Sequence, residues 1–190
     1  ASVDAILEAM NKGDGTVDIE ADFWGDHLPA AMRNYVLPGS KETILLNDHP
    51  YFGTEGYFVP VYARDSAKIT KLADLANPDI AKAFDTDGDG KGEIWAGAPG
   101  WESVSHTQVR AKSYGFDKTM EIVDLDQPVF LARLKDLYER KAPIVFYYWT
   151  PEWIFAKYDL VKLEEPPFTG YTTEEAKGTD KYSPDGCYTF

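Results

Sequence analysis

The chain has little of several things that usually mark a function. It holds one cysteine and three histidines in 190 residues. Cys187 has no internal disulfide partner, so it reports nothing about redox compartment. His27, His49 and His106 show no metal-ligand spacing and read as ordinary surface or hydrogen-bonded residues. Basic residues are scarce: 19 Lys and Arg stand against 32 Asp and Glu, a net charge of −13. That balance excludes the basic footprint of a nucleic-acid binder and disfavours anionic membrane surfaces. No apolar run approaches the ~20 residues of a spanning helix. The N-terminus carries no secretory leader pattern. There is no Gly-x-Ser-x-Gly elbow, no phosphate loop and no marked Ser/His/Asp or Cys/His set, so the expectation is a binding protein and not an enzyme.

What the chain does have is aromatic residues. Five tryptophans stand at positions 24, 95, 101, 149 and 153. Trp24, Trp101 and Trp149 each close a strand-like run, and ligands of open α/β sheets bind at the carboxyl ends of strands. A single Trp is most often a core residue. Three at corresponding strand ends point to a shared pocket, and converging indole faces suit a methylated ammonium group. Such a cation has no N–H to donate and is held by cation–π attraction and apolar contact. Alternate strand residues share a face, so Tyr147 points with Trp149. Trp153 and Trp95 read as packing and core.

Periodicity gives the frame. Residues 2–12 read as a helix, with Ser2 as N-cap and Ala5, Ile6, Ala9 and Met10 as its apolar stripe. Strand patterns follow at 17–23, 43–46 and 56–63, the last holding Pro60, which argues for an edge or a crossover. Then come a helical segment at 71–84 broken near Pro78, a strand at 93–98, a helix at 102–114 stopped by Gly115 and a strand at 121–125. Asp126 is an N-cap candidate for a helix with Pro128 in its first turn. A continuous apolar strand at 142–148, a short helix at 151–158 capped by Thr150, and a strand at 160–163 complete it. Strands alternating with helices predict an α/β fold with a largely parallel sheet. Both ends look incomplete.

Two segments invite chemistry. Asp85, Asp87 and Asp89 followed by Gly90 have the opening spacing of a calcium loop, with the Lys91 carbonyl and Glu93 as further oxygen donors. The twelfth position is Ala96 in place of the bidentate Glu, and a solvated acidic turn is the other reading. Next, Gly100-Trp101-Glu102-Ser103 opens the helix at 102–114, whose N-terminus can receive an anion. Glu102 there either repels a ligand carboxylate or complements the helix dipole from outside.

These motifs together resemble the periplasmic substrate-binding proteins of ABC transporters for glycine betaine and related quaternary amines. The matching stretches are Asp18-Ile19-Glu20 through Trp24, Gly56-Tyr57-Phe58-Val59-Pro60, Lys71-Leu72-Ala73-Asp74-Leu75, Phe84 to Trp101, and Pro143 to Leu163. The resemblance implies a two-lobe, type II-like periplasmic binding fold that closes like a hinge. It implies an aromatic box of Trp24, Trp101 and Trp149, with the N–H groups of Glu102 and Ser103 taking a ligand carboxylate. Glu102 stands where the family often has a small residue, which brings choline and trimethylamine N-oxide into range beside glycine betaine.

The expected organisation is residues 1–62 in the first lobe, 63–164 in the second and 165–190 as a loop-rich segment. The expected partners are a small quaternary amine or amine oxide and the membrane subunits of an ABC importer, with the chain itself a monomer. No cofactor is expected to be required, with a structural calcium ion in the acidic loop as the alternative to a solvated turn, and the expected location is the periplasm or another extracytoplasmic, membrane-tethered site. An enzyme acting on a methylated amine and a ligand-sensing module are the alternatives.

Overall fold

The computed structural model describes residues 3–21, 23–24, 29–49 and 53–166. The chain divides into two compact units, residues 1–52 and 53–190. Residues 167–190, including Cys187, and the positions of Ser2 and His27 lie outside the described residues.

In the first unit, helix α1 (Val3–Lys12) is followed by α2 (Pro29–Ala31), which runs into a wider helical turn over Met32–Val36. Leu7, Ala31 and Ile44 form a small core, with Met10, Phe23, Tyr35 and Val36 packed on it. Leu7 thus leads the buried face of α1, while Ala5, expected on that stripe, is exposed. The Tyr35 hydroxyl donates to Glu8 and ties the wider turn to α1. Among the described residues, the strands expected at 17–23 and 43–46 do not form. Ile19 is 82% exposed and Leu45 91%, and neither stretch is paired in a sheet among the described residues. Alternation makes a strand only where a neighbour takes its backbone N–H and C=O groups.

The second unit is a five-stranded sheet. Its elements are β1 (Thr54–Pro60), α3 (Val61–Ala67), a 3₁₀ turn at Leu72–Ala76, α4 (Pro78–Ala81), β2 (Gly92–Gly97), α5 (Glu102–Tyr114), β3 (Met120–Asp124), α6 (Gln127–Glu139), β4 (Val145–Thr150), α7 (Ile154–Lys157) and β5 (Leu160–Lys162). The strand order is β3-β2-β4-β1-β5. β2 pairs in parallel with β3 and β4, but β1 runs antiparallel to both β4 and β5. The sheet is therefore mixed where the sequence predicts it largely parallel. β1 lies inside this sheet, so its residues belong with the second unit, although the sequence grouped them with the first lobe. Pro60 sits in an interior strand and not an edge. It is nonetheless the last residue of β1, beyond the stretch paired with β4, so the missing N–H breaks no bond on that side.

Both faces of the sheet are covered. On one, Tyr57, Val59, Ile94, Val145 and Tyr147 pack against Ala63, Leu72, Leu75, Phe84, Ala111 and Phe116. On the other, Phe58, Trp95, Phe146 and Tyr148 pack against Phe130, Leu134 and Leu137 of α6 and Ile154 of α7. Strands covered on both sides need apolar residues at consecutive positions, which is why β2 is buried along its whole length. Several helix ends match the sequence. Gly115 caps α5 in the left-handed conformation at φ 82°, and Pro128 lies in the first turn of α6. Asp126 precedes α6 but accepts through its backbone carbonyl, from Val129 and Phe130, and not through its carboxylate. Thr150 does not cap a helix either; its hydroxyl pairs with that of Thr54 at 2.8 Å, and α7 starts only at Ile154.

Trp95 is buried as expected and stacks on Phe130 with centroids 3.8 Å apart. Trp153, expected to pack, is 51% exposed just ahead of α7. We expect Phe130→Ala to lower folding stability by about 3–5 kcal/mol, as large core truncations do. Trp153→Ala should change it by less than ~1 kcal/mol. Urea unfolding of both variants checks the contrast.

Candidate functional site

The connections from β2 and β4 leave the sheet in opposite directions. After β2 the chain enters α5, whose Ala111 packs on the Tyr57 face. After β4 it enters α7, whose Ile154 packs on the Phe58 face. Where neighbouring parallel strands send their connections to opposite faces, a crevice opens between their carboxyl ends. Trp101 follows β2 and Trp149 is in the last turn of pleat of β4, so both border this crevice. Their rings meet edge-to-face with centroids 5.5 Å apart. Both are half-buried.

These two rings are held by others. Trp101 meets Trp95 edge-to-face at 5.9 Å, and Trp95 donates its indole N–H to the Leu125 carbonyl at 3.0 Å. Trp149 stacks on Tyr148 with centroids 4.5 Å apart and planes 8° from parallel. Tyr148 accepts from the Gln127 amide through its hydroxyl at 3.1 Å. Tyr147 lies 6.4 Å from Trp149 on the same face. Trp24 belongs to the first unit, where it is half-buried in irregular chain.

The helix α5 opens directly beside Trp101. Glu102 is half-buried in its first turn. Ser103 is buried, and its hydroxyl has no hydrogen-bond partner among the described residues. Thus an apolar ring pair and a helix N-terminus with a buried hydroxyl lie side by side, which suits a ligand with an apolar cation at one end and acceptor oxygens at the other.

Polar residues beneath the crevice were not legible as a group. The Tyr147 hydroxyl donates to Glu55 Oε2 at 2.5 Å. The Tyr57 hydroxyl and Thr107 Oγ1 share a hydrogen bond of 2.7 Å. Arg110, buried on α5, donates from Nε to Glu165 at 2.9 Å and lies over the Tyr57 ring. Burial pushes the Tyr57 hydroxyl up to about 12, against the pull of Arg110. Burial first, and then the Glu55 carboxylate, hold Tyr147 far above the ordinary tyrosine value, so it stays a neutral donor. For Arg110, burial opposes the charge, but Tyr57, Glu165 and Glu55 outweigh it and keep the guanidinium charged.

The acidic loop lies between α4 and β2. Asp85, Asp87 and Asp89 each bring a carboxylate oxygen within 4.8 Å of the others. The loop is shaped by its own carboxylates: Asp85 accepts from the N–H groups of Gly88 and Gly90, Asp87 from that of Asp89, and Asp89 from that of Lys91. Glu93 is not in this group. It is buried in β2, accepts from the N–H and hydroxyl of Thr86, and faces Arg133 at 3.6 Å.

A mixed α/β sheet covered on both faces by helices is the fold of periplasmic binding proteins. Solved structures with the same fold include the choline-binding protein of an ABC transporter in complex with choline, at a TM-score of 0.60 and 16% identity over 86% of this chain and 53% of that one. Another is the ProX protein of a glycine betaine/L-proline ABC transporter from Borrelia burgdorferi, at 0.57 and 16% identity over 88% and 57%. The chain belongs to the family of substrate-binding domains of ABC-type glycine betaine transport systems, which it matches over residues 1–188. It is 30% identical over 137 residues to the glycine betaine/proline betaine-binding periplasmic protein of Salmonella typhimurium. It is 32% identical over 139 residues to the glycine betaine-binding periplasmic protein OusX of Dickeya dadantii. Each alignment covers 70% of this chain and 41% of the relative, so the chain spans about two fifths of their length.

Gly97 ends β2 at φ 135°, and a Cβ there would lie 2.5 Å from Ser103 Oγ and 3.0 Å from Trp101 Cε3. Only glycine lets the strand end, the ring and the helix start approach so closely. Gly97→Ala should cost about 1–3 kcal/mol by overpacking and should displace Trp101, read as a changed tryptophan emission spectrum and a lower Tm.

Proposed function

We propose that the chain binds a small methylated-ammonium osmolyte, of the glycine betaine, choline or trimethylamine N-oxide class, and hands it to an ABC importer outside the cytoplasm. The observation that carries this reading is the edge-to-face pair of Trp101 and Trp149 at the crevice of the sheet. A quaternary nitrogen spreads its charge over methyl groups, and an indole face is the strongest neutral partner for it. The family resemblance adds Trp24, half-buried in the first unit, to these rings as a further proposed ligand contact. The start of α5, with Glu102 and Ser103, meets the oxygen end of the ligand. Tyr147 supports Trp149 from the same face. The names of the relatives and of the choline-bound neighbour support this ligand class. The membrane subunits of the importer are the macromolecular partner, and the binding protein acts as a monomer.

A structural calcium ion in the acidic loop is part of the same proposal, with Asp85, Asp87 and Asp89 as its side-chain ligands and the Lys91 carbonyl as a further oxygen donor.

Two measurements test these statements. Calorimetry with glycine betaine, choline, carnitine and trimethylamine N-oxide should show binding of at least one. Ala at Trp24, Trp101 or Trp149 should weaken it by about 1–2 kcal/mol from the lost cation–π contact, and by more once lost apolar burial is counted. Variants that stay folded and bind as tightly as the parent would sink the aromatic box. For the loop, calcium at a hundred times its Kd should stabilise the fold by ~2.7 kcal/mol. The same Tm with calcium and with chelator would show that the loop is a solvated turn.

A further inference from the structure

We infer that Glu55 is a specificity-determining residue, the anionic wall of the aromatic box, which favours a cationic ligand over a zwitterionic one. This rests on the aromatic-box reading above. Glu55 stands at the start of β1, directly across from Trp149 of β4, and Tyr57 stands across from Tyr147. Directly paired residues on neighbouring antiparallel strands project from the same face with Cβ atoms about 4.5–5.5 Å apart. The carboxylate therefore rises from the sheet beside the ring that borders the crevice. It is aimed by a specific bond: Oε2 accepts from the Tyr147 hydroxyl at 2.5 Å. Tyr147 is itself buried and packs against Trp149. The strand is held as well, since Lys162 Nζ donates to the Glu55 backbone carbonyl at 2.6 Å.

The consequence is electrostatic. A carboxylate fixed across the ladder from Trp149 stabilises a cation bound at that ring, and the half-buried setting weakens screening by water. The same charge repels the carboxylate of a zwitterion. Choline carries only the cation, whereas glycine betaine carries both, so Glu55 separates them by sign. The start of α5 pulls the other way, because a helix N-terminus favours an anion. Buried Arg110, whose charge Glu55 helps to hold, also favours an anion, so the ligand ranking is set by opposed fields of which Glu55 supplies the one that disfavours a ligand carboxylate.

The test is Glu55→Gln in the full chain, which removes the charge and keeps an oxygen to accept from Tyr147. Choline and glycine betaine are titrated separately by calorimetry. The expected result is choline binding weakened roughly five- to tenfold while glycine betaine binding is unchanged or tightened. Tyr147→Phe removes the bond that aims the carboxylate and should shift the choline-to-betaine ratio in the same direction by less. Should Glu55→Gln fold poorly, the parent chain still decides: its choline affinity should fall more steeply with added salt than its glycine betaine affinity. An equal effect on both ligands, or equal salt slopes, overturns the role of Glu55 and leaves the box standing. Failure of the parent to bind either ligand overturns this inference, and failure to bind carnitine and trimethylamine N-oxide as well overturns the box.

Discussion

The stack of Trp95 on Phe130 is the contact from which the rest of the site is built. The planes lie 5° from parallel at 3.8 Å, inside the core between β2 and α6. From there the rings continue outward: Trp95 to Trp101, Trp101 to Trp149, and Trp149 back onto Tyr148. A cage that recognises a cation needs ring faces fixed in advance, because a ring ordered only on binding loses part of its contact energy to entropy. Here the inner members are locked by burial and by hydrogen bonds from Trp95 to Leu125 and from Gln127 to Tyr148. The half-exposed outer pair inherits that rigidity through edge-to-face contacts.

A second constraint is the direction of β1. Because it enters the sheet antiparallel to β4, its amino end lies at the carboxyl end of β4. That single reversal brings Glu55 to Trp149 and Tyr57 to the polar side of α5. Arg110 can then be buried, since Glu165 neutralises it and Tyr57 offers both a ring face and an oxygen. A buried guanidinium without such partners would be prohibitively costly. The pair also ties α5, which opens at the crevice, to the chain that follows β5.

How much of this was legible depended on how local the cause was. The limits of α5 were readable because Gly115 ends it by its own backbone freedom, and the core role of Trp95 because it sits in a continuous apolar run. Trp101 and Trp149 were readable because strand ends followed by turns are a local pattern. Glu55 was not, because its place follows from the orientation of β1 and no residue near it encodes that. Pro60 pointed to an edge or a crossover, and it ends an interior strand beyond the stretch paired with β4. Trp153 fitted a helical spacing to Trp149, but α7 starts one residue after it, so the spacing had no helix to act through. Val17 to Phe23 had the right alternation and no strand to pair with among the described residues.

The two faces of the crevice set out a division of labour. Ring faces recognise a methylated cation as a class, since cation–π attraction and apolar contact depend weakly on what the rest of the ligand is. They cannot tell one trimethylammonium compound from another. Under the proposed function, discrimination falls to groups placed to read the far end of the ligand: the start of α5 with Glu102 and the buried Ser103 hydroxyl, and the carboxylate across from Trp149. Gly97 makes the two readings compatible, because its missing Cβ lets Trp101 and Ser103 close over the same strand end. Trp101 and the polar terminus are thus parts of one turn, and under the proposed function a change that separates them would degrade both class recognition and ligand choice.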